Sequence, residues 1–412
     1  MRQAESPASG RGVVAAEPCR SPALSYISLS PWMLLTAIAI LAFNLRTGLA
    51  SLPPLLGAIR QELGYSNGLA GLLTSIPAFC IGLFALLGAR ILPWISPERG
   101  ILLAAWLVAL ATGLRLFSTF PGLLLASVML IGMGIALIQV LVPLLVKLHQ
   151  PALARPAMGV FAMFMNFGAT VAAAASVPLA LWTGAWPRGL ALWGLPALLA
   201  LAPWLLLSKR LGAGPQRVIG TAPLPWRDPR AWRLALFFSG TAATYFSLMA
   251  WLAPIYLALG WDTLRAGYLL TLFAFSQILG ALVFPLLAHR LHADCFWLAL
   301  VILVTAGGVL GLALLPLELP WVWSGLAGFG LGGLFPLLMS RGIEEAGTPA
   351  EAAQLGAFGQ GFGILLGGGI APLLFGILLD RLGREDLPLL VLGIYLLSLF
   401  GLSLYRPGQR AG

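Results

Sequence analysis

Long apolar runs alternate with short polar interruptions along this chain, and run length is the dominant signal. Twelve runs stand out: 31–55, 68–92, 100–118, 121–147, 156–183, 188–208, 231–258, 266–290, 295–315, 320–341, 350–379 and 387–406. A helix rising about 1.5 Å per residue needs about twenty apolar residues to cross bilayer hydrocarbon, so each run predicts one spanning helix. The longer runs must tilt or project beyond the lipid. One helix start is sharply marked. Thr348-Pro349-Ala350-Glu351 supplies an N-cap threonine, a proline at the first helical position and a glutamate three residues on, which is a capping box.

The longest internal polar stretch, residues 208–232, separates runs six and seven and leaves six runs on each side. The two sets echo one another. Gly132-Met133-Gly134 before Pro143-Leu144-Leu145 in run four is matched by Gly328-Phe329-Gly330 before Pro336-Leu337-Leu338 in run ten. Asn166 lies twelve residues before Pro178 in run five, as Gln360 does before Pro372 in run eleven. "AGLLTS" at 70–75 opens run two and "AGYLLTL" at 266–272 opens run eight. Three matches in register favour a parallel duplication. The expected organisation is an N-terminal tail (1–30), a six-helix bundle (31–208), a linker (209–230), a second six-helix bundle (231–406) and a C-terminal tail (407–412). The fold class is therefore an all-α membrane protein with two pseudo-symmetric bundles.

Composition agrees. Of 412 residues, 59% are hydrophobic and 9% charged, with a mean hydropathy of +0.94, too few charges to coat a soluble protein of this size. The net charge of +10 invites a nucleic-acid reading, but the cations sit in short loops between apolar runs. With twelve crossings both termini share one side, whose segments hold 17 Lys/Arg against 6 on the other, Arg46 being counted with neither. That bias places the termini in the cytoplasm, and a bacterial inner membrane is the expected location. Cys19, Cys80 and Cys295 are scattered, and His149, His289 and His292 fall at loop positions without a ligand or catalytic motif, so neither a metal nor a cofactor is expected. The polar tail 1–30 lacks the compact apolar core of a secretory signal. "GFGLGG" at 328–333 matches a nucleotide-loop pattern, yet it lies inside an apolar run with no strand or acidic ribose contact and is read as helix packing.

Arg46 is the residue that asks for an explanation. It lies about fifteen residues into the first run, roughly 22 Å along a helix, too deep to reach either interface easily. Mid-membrane Arg costs about 2.5–3.5 kcal/mol on insertion scales. All 14 Asp and Glu fall in a tail, a loop or a run end, so no fixed counter-ion is expected within the hydrocarbon. Either a small anion from solution fills that role, gripped by the planar guanidinium fork, or backbone carbonyls and amides hold a static network. Gln139, Tyr245 and Gln277 fall at mid-membrane depth, where neutral groups orient a ligand, glue helices or simply pack. Trp251 precedes Pro254 by one turn, where run seven can bend, and is taken with Arg46, Gln139, Tyr245 and Gln277 as substrate-binding. Asn44 is about 200° around the helix from Arg46 and is expected to hydrogen-bond between helices. Asn166 and Gln360 begin glycine-rich stretches and are assigned to helix packing or a secondary cavity. Arg115, near the outer end of run three, is expected to snorkel to the headgroups, with an anion-attracting outer mouth as the alternative.

On these residues the sequence resembles the major facilitator superfamily, and within it the cyanate/nitroimidazole-type (CynX/NimT) transporters, over residues 31–406. "FNLRTGLASLPPLL" (43–56), "MAWLAPIYLALG" (249–260), "GLGGLFPLLMS" (330–340) and "TPAEAAQLGAFGQGFGILLGGGIAPLLFG" (348–376) carry the resemblance. The loop 88–100 departs from the superfamily's usual Gly-x-x-x-Asp-Arg-x-Gly-Arg-Arg: it keeps Gly88 and Arg90 and lacks the Asp. Ala250 and Ala253 also stand where the family's span-seven motif more often reads Thr-Trp-Leu-Pro-Pro. The resemblance implies alternating access to a central cavity between the bundles. The expected function is transport of a small, cyanate-like or organic anion by a monomer in the lipid bilayer, with protons or a counter-anion as coupling partners; the alternative is efflux of drugs or nitroimidazole-like molecules. A membrane-embedded enzyme would need a nucleophile, base or metal ligands within the runs, and none is seen.

Overall fold

A computed structural model describes residues 30–91, 96–150, 153–211, 224–291, 294–346 and 348–404. The expected tail 1–30, apart from Ser30, most of the linker and residues 405–412 lie outside them, as does part of the 88–100 loop. Within the described residues are twelve helices long and apolar enough to cross a membrane. The spans are Pro31–Leu63, Asn67–Leu87, Pro97–Phe117, Gly122–Val146, Ala157–Thr183, Trp186–Lys209, Pro229–Ala258, Thr263–Ala288, Phe296–Leu314, Pro320–Gly342, Gln354–Leu382 and Asp386–Ser403. Their outer surface is rich in exposed apolar side chains, with Trp182 at 79% and Leu199 at 71%, as a surface meeting hydrocarbon should be.

Local sequence explains the irregularities. Span one breaks after Ala50 into a short tight turn at Pro53–Leu55, where two successive prolines remove backbone donors, and resumes as Leu56–Leu63. Span eleven begins with Thr348 capping the Glu351 N–H at 3.1 Å, as the capping box requires. It then widens into one π turn over Ile364–Gly368, where Gly367 lies against the Ser239 carbonyl of span seven.

The two halves pack by the same rule. Spans one and five, two and four, three and four, and three and six are neighbours in the first half; seven and eleven, eight and ten, nine and ten, and nine and twelve repeat that scheme in the second. The paired Gly-x-Gly motifs do equivalent jobs. Gly132 faces Pro77 of span two and Gly134 the Ala104 carbonyl of span three, while Gly328 faces the Phe273 carbonyl of span eight and Gly330 the Val301 carbonyl of span nine. Helices in lipid gain little from apolar burial against one another, so close backbone approach through small residues is what holds these contacts. Gly328→Ala would push a methyl into the Phe273 carbonyl, an overpacking worth about 1–3 kcal/mol. The melting temperature in detergent should fall, whereas Gly307→Ala, whose new methyl meets nothing within 4 Å, should leave it unchanged.

The halves meet along spans two and eleven and along spans five and eight. At the end of the bundle away from Pro31 and Leu404, Asp380 of span eleven accepts hydrogen bonds from the backbone N–H groups of Asn67 (3.0 Å) and Gly68 (2.7 Å) and from Asn67 Nδ2 (2.7 Å). A carboxylate at the N-terminus of span two satisfies its orphan donors and complements the helix dipole. At the opposite end, Arg230 joins Asp228 (2.8 Å) and Glu351 (2.6 Å), and Arg233 joins Glu345 (2.6 Å). Burial pushes the Asp228 carboxyl up, but the Arg230 hydrogen bonds outweigh it and hold the group below the usual carboxylate range.

Candidate functional site

Span one carries Arg46 halfway along its length and delivers the guanidinium to the boundary between the halves. Its Cζ lies 4.7 Å from the centre of the Tyr245 ring, on span seven of the second half. That is a cation–π contact, in which the ring face offsets part of the charge without neutralising it. Phe246 in turn meets the Tyr245 ring edge-on at 5.0 Å and 89°. No carboxylate comes within 4.0 Å of the guanidinium among the described residues, and Arg46 Nε and Nη1 are buried without a hydrogen-bond acceptor. The Tyr245 hydroxyl is also buried and unpartnered; Ser247 Oγ, two residues further along span seven and about 200° around the helix, is unpartnered as well. Buried polar groups normally find partners, so donors left open beside a full positive charge form a place for an anionic acceptor.

Of the other expected substrate contacts, Gln139 places Nε2 3.9 Å from Met165 Sδ and is half-buried. Gln277 is 8% exposed, and its backbone carbonyl faces Gly332 of span ten. Neither amide hydrogen-bonds Arg46 or Tyr245. Trp251 does not fit a substrate-binding role: it is fully buried, its indole N–H donates to the Pro372 carbonyl at 3.0 Å, and its ring stacks on Phe375 at 5.8 Å and 6°. It ties span seven to span eleven and leaves no polar group for a solute. Ala250 and Ala253 beside it are likewise core.

Asn44 corrects a second expectation. Its Nδ2 donates to the Ile40 carbonyl at 2.7 Å, one turn back in the same helix, and Oδ1 is buried without a partner, so it forms no bridge to another span. Asn166 is half-buried, and Gly168 two residues on lets span five approach the Phe43 carbonyl of span one; Gln360 Nε2 is 3.1 Å from Met339 Sδ of span ten. Gly332 and Gly333 of the 328–333 stretch also face the Gln277 carbonyl and Phe284, as helix packing demands. Arg115 overturns the snorkelling expectation. It is 1% exposed and donates from Nη1 to Ser51 Oγ of span one at 3.0 Å. The chain turns at Arg115–Phe117, directing the side chain inward rather than along the lipid.

Two pairings escaped the sequence reading. Glu98, in the first turn of span three, meets His149 at 2.7 Å. The Asp380 contact had a visible signal, because Gly376, Asp380, Arg381, Gly383 and Arg384 reproduce the Gly-x-x-x-Asp-Arg-x-Gly-Arg spacing whose aspartate is lacking after span two. Only the fold shows that this copy caps span two. Among the described residues no three His, Cys, Asp or Glu side chains gather as a metal site.

Comparison with known proteins agrees with this fold. The family model described as Major Facilitator Superfamily matches residues 33–372. The cyanate transport protein CynX of Escherichia coli (strain K12) is 33% identical over 346 residues, 84% of this chain and 89% of that protein. The 2-nitroimidazole transporter of the same organism is 30% identical over 379 residues, 91% of this chain and 95% of its own. Among solved structures, a bacterial homologue of the human lysosomal transporter Spinster superposes with a TM-score of 0.71 at 15% identity, covering 92% of this chain and 100% of that one. The nucleoside transporter NupG gives 0.69 at 14%, covering 90% and 100%. At such identities the structural likeness concerns the fold.

Proposed function

The chain belongs to the major facilitator superfamily and to its cyanate/nitroimidazole (CynX/NimT) branch, and from that premise we propose that this membrane transporter carries a small anion, cyanate-like or organic, held at Arg46. The observation that carries the reading is the Arg46 guanidinium, laid across Tyr245 between the halves with Nε and Nη1 buried and unpaired. A planar fork of N–H donors suits a carboxylate-like or pseudohalide acceptor, and the anion supplies the charge that no side chain provides. Because span one and span seven belong to different halves, an anion bridging Arg46 and the Tyr245 hydroxyl would feel both bundles. Rocking of one bundle against the other would then expose it to either side in turn. The excess of Lys/Arg on one set of loops supports a cytoplasmic location for the termini, the Escherichia coli relatives support a bacterial inner membrane, and the run pattern supports domain limits at 31–208 and 231–406.

The first test is a thermal-shift screen of purified protein against cyanate and small carboxylates, repeated on Arg46→Ala. An anion that stabilises the wild type and not the variant supports the site; equal stabilisation of both removes it. The ring beneath the guanidinium makes a finer prediction. Tyr245→Phe removes only the hydroxyl donor and should raise the half-saturation concentration; Tyr245→Leu also removes the ring and should raise it about 2- to 5-fold further, the equivalent of roughly 0.5–1 kcal/mol of cation–π contact. Proteoliposome uptake over a range of substrate concentrations separates the two, and identical behaviour of the variants would deny the ring its role.

A second reading, efflux of nitroimidazole-like molecules, draws on the 30% identity to a protein named as a 2-nitroimidazole transporter. Competition decides between them: anions should displace one another at Arg46, whereas a neutral nitroimidazole that competes equally well in Arg46→Ala favours efflux.

A further inference from the structure

Arg115 presents a second cation without a carboxylate partner, buried inside the first half and separate from the boundary where Arg46 lies. Beyond its bond to Ser51, its guanidinium has no hydrogen-bond acceptor among the described residues, Nε is buried and unpartnered, and no carboxylate lies within 4.0 Å. It borders a void of about 10 Å³ walled by Gly48, Leu73, Thr74, Pro77, Val128 and Ile131, from spans one, two and four. The hydroxyl of Thr74 already donates to the Gly71 carbonyl at 2.8 Å, so no wall group brings a negative charge. Two helix C-termini help: Arg115 follows Leu114 at the end of span three's helix, and Ser51 follows Ala50 at the end of span one's first segment. Their partial negative ends favour a cation without supplying a full counter-charge.

A void of this size holds about one water molecule. Water would satisfy the open N–H but leave the charge uncompensated in apolar surroundings, whereas a monatomic anion would satisfy both. Carboxylates, sulfate and other polyatomic anions are too large. We propose that this void is a resident halide site, of the chloride class, in which the anion neutralises Arg115 and ties spans one to four together. It is independent of the transport reading and neither requires nor excludes an anion at Arg46.

The test compares full-length protein in detergent in sodium chloride, sodium bromide and sodium gluconate at equal ionic strength. Chloride and bromide should raise the melting temperature by several degrees over gluconate, and Arg46→Gln should keep that shift. Arg115→Gln should lose it. Because that variant can fail to fold, Gly48→Ala provides the second arm: its methyl would meet Ile131 at 3.4 Å, an ordinary contact, while taking space from the void. The halide shift should shrink or vanish there with the cation intact. Crystals grown in bromide should show an anomalous peak against the Arg115 guanidinium. A shift equally large in Gly48→Ala, a shift that disappears in Arg46→Gln, or density for water without anomalous signal would each overturn the proposal.

Discussion

Arg46→Lys should retain the positive charge and still lose most uptake. A lysine ammonium is a compact point charge that cannot lie flat on Tyr245 or offer a planar pair of N–H donors to one acceptor. Hydrogen bonds to charged groups contribute about 1.5–3 kcal/mol each, so losing one of the two open donors, Nε or Nη1, predicts a roughly 10- to 150-fold fall in transport efficiency. Arg46→Gln, which also removes the charge, should fall further. The measurement is initial uptake of labelled anion into proteoliposomes, with the melting temperature of each variant as a control for folding. Removing a half-buried cation that has no carboxylate partner relieves part of a desolvation penalty, so the charge-free variant should be as stable as wild type or more so. Wild-type uptake in Arg46→Lys would remove the anion grip from the account. A marked loss of stability in Arg46→Gln would mean that the arginine is held by a fixed network instead.

Asp380→Ala should open the end of the bundle where spans two and eleven are pinned. The carboxylate accepts three hydrogen bonds across the boundary between the halves, and that end cannot part while they persist. The bonds are solvent-exposed, so each counts for less than a buried one. A capping carboxylate is worth about 0.5–2 kcal/mol, and a loss of about 1–2 kcal/mol would raise the open population roughly 5- to 30-fold. Spin labels at Gln61 and Arg381, both exposed and on either side of the contact, would read the change as a longer-distance component by pulsed electron paramagnetic resonance. Arg384→Ala, which removes an ion pair made only to Asp386 at the start of span twelve in the same half, should leave the distances unchanged. An unaltered distribution in Asp380→Ala would show that glycine-mediated packing of Gly71 against Pro372 and Gly376 against Asn67 holds this end closed without the carboxylate.

The two predictions engage different links in one cycle. Arg46 acts on the solute, and Asp380 acts on the balance between states that admit it. A defect at Arg46 should appear in binding and transport alike, whereas a defect at Asp380 should alter conformational populations even with no solute present.

By itself the sequence determined what depends on one helix at a time. Twelve runs of hydrocarbon-spanning length, the capping box at Thr348 and the mid-span position of Arg46 follow from rise per residue, local capping chemistry and the cost of charge in lipid, none of which needs a neighbour. The duplication was legible too, because Gly-x-Gly pairs mark places where backbones must touch, and the structure gives both copies equivalent partners. Tertiary structure alone decided which polar groups are already satisfied. Trp251 spends its N–H on Pro372, Asn44 turns back on its own helix and Arg115 points inward to Ser51. Asp380 stands in a recognisable Gly-x-x-x-Asp-Arg-x-Gly-Arg spacing, but only the packed halves show that it caps a helix 312 positions away. A side chain's partners depend on rotamer and on helices brought beside it by packing, and spacing along one chain does not encode which of them arrives first at its hydrogen-bonding edge.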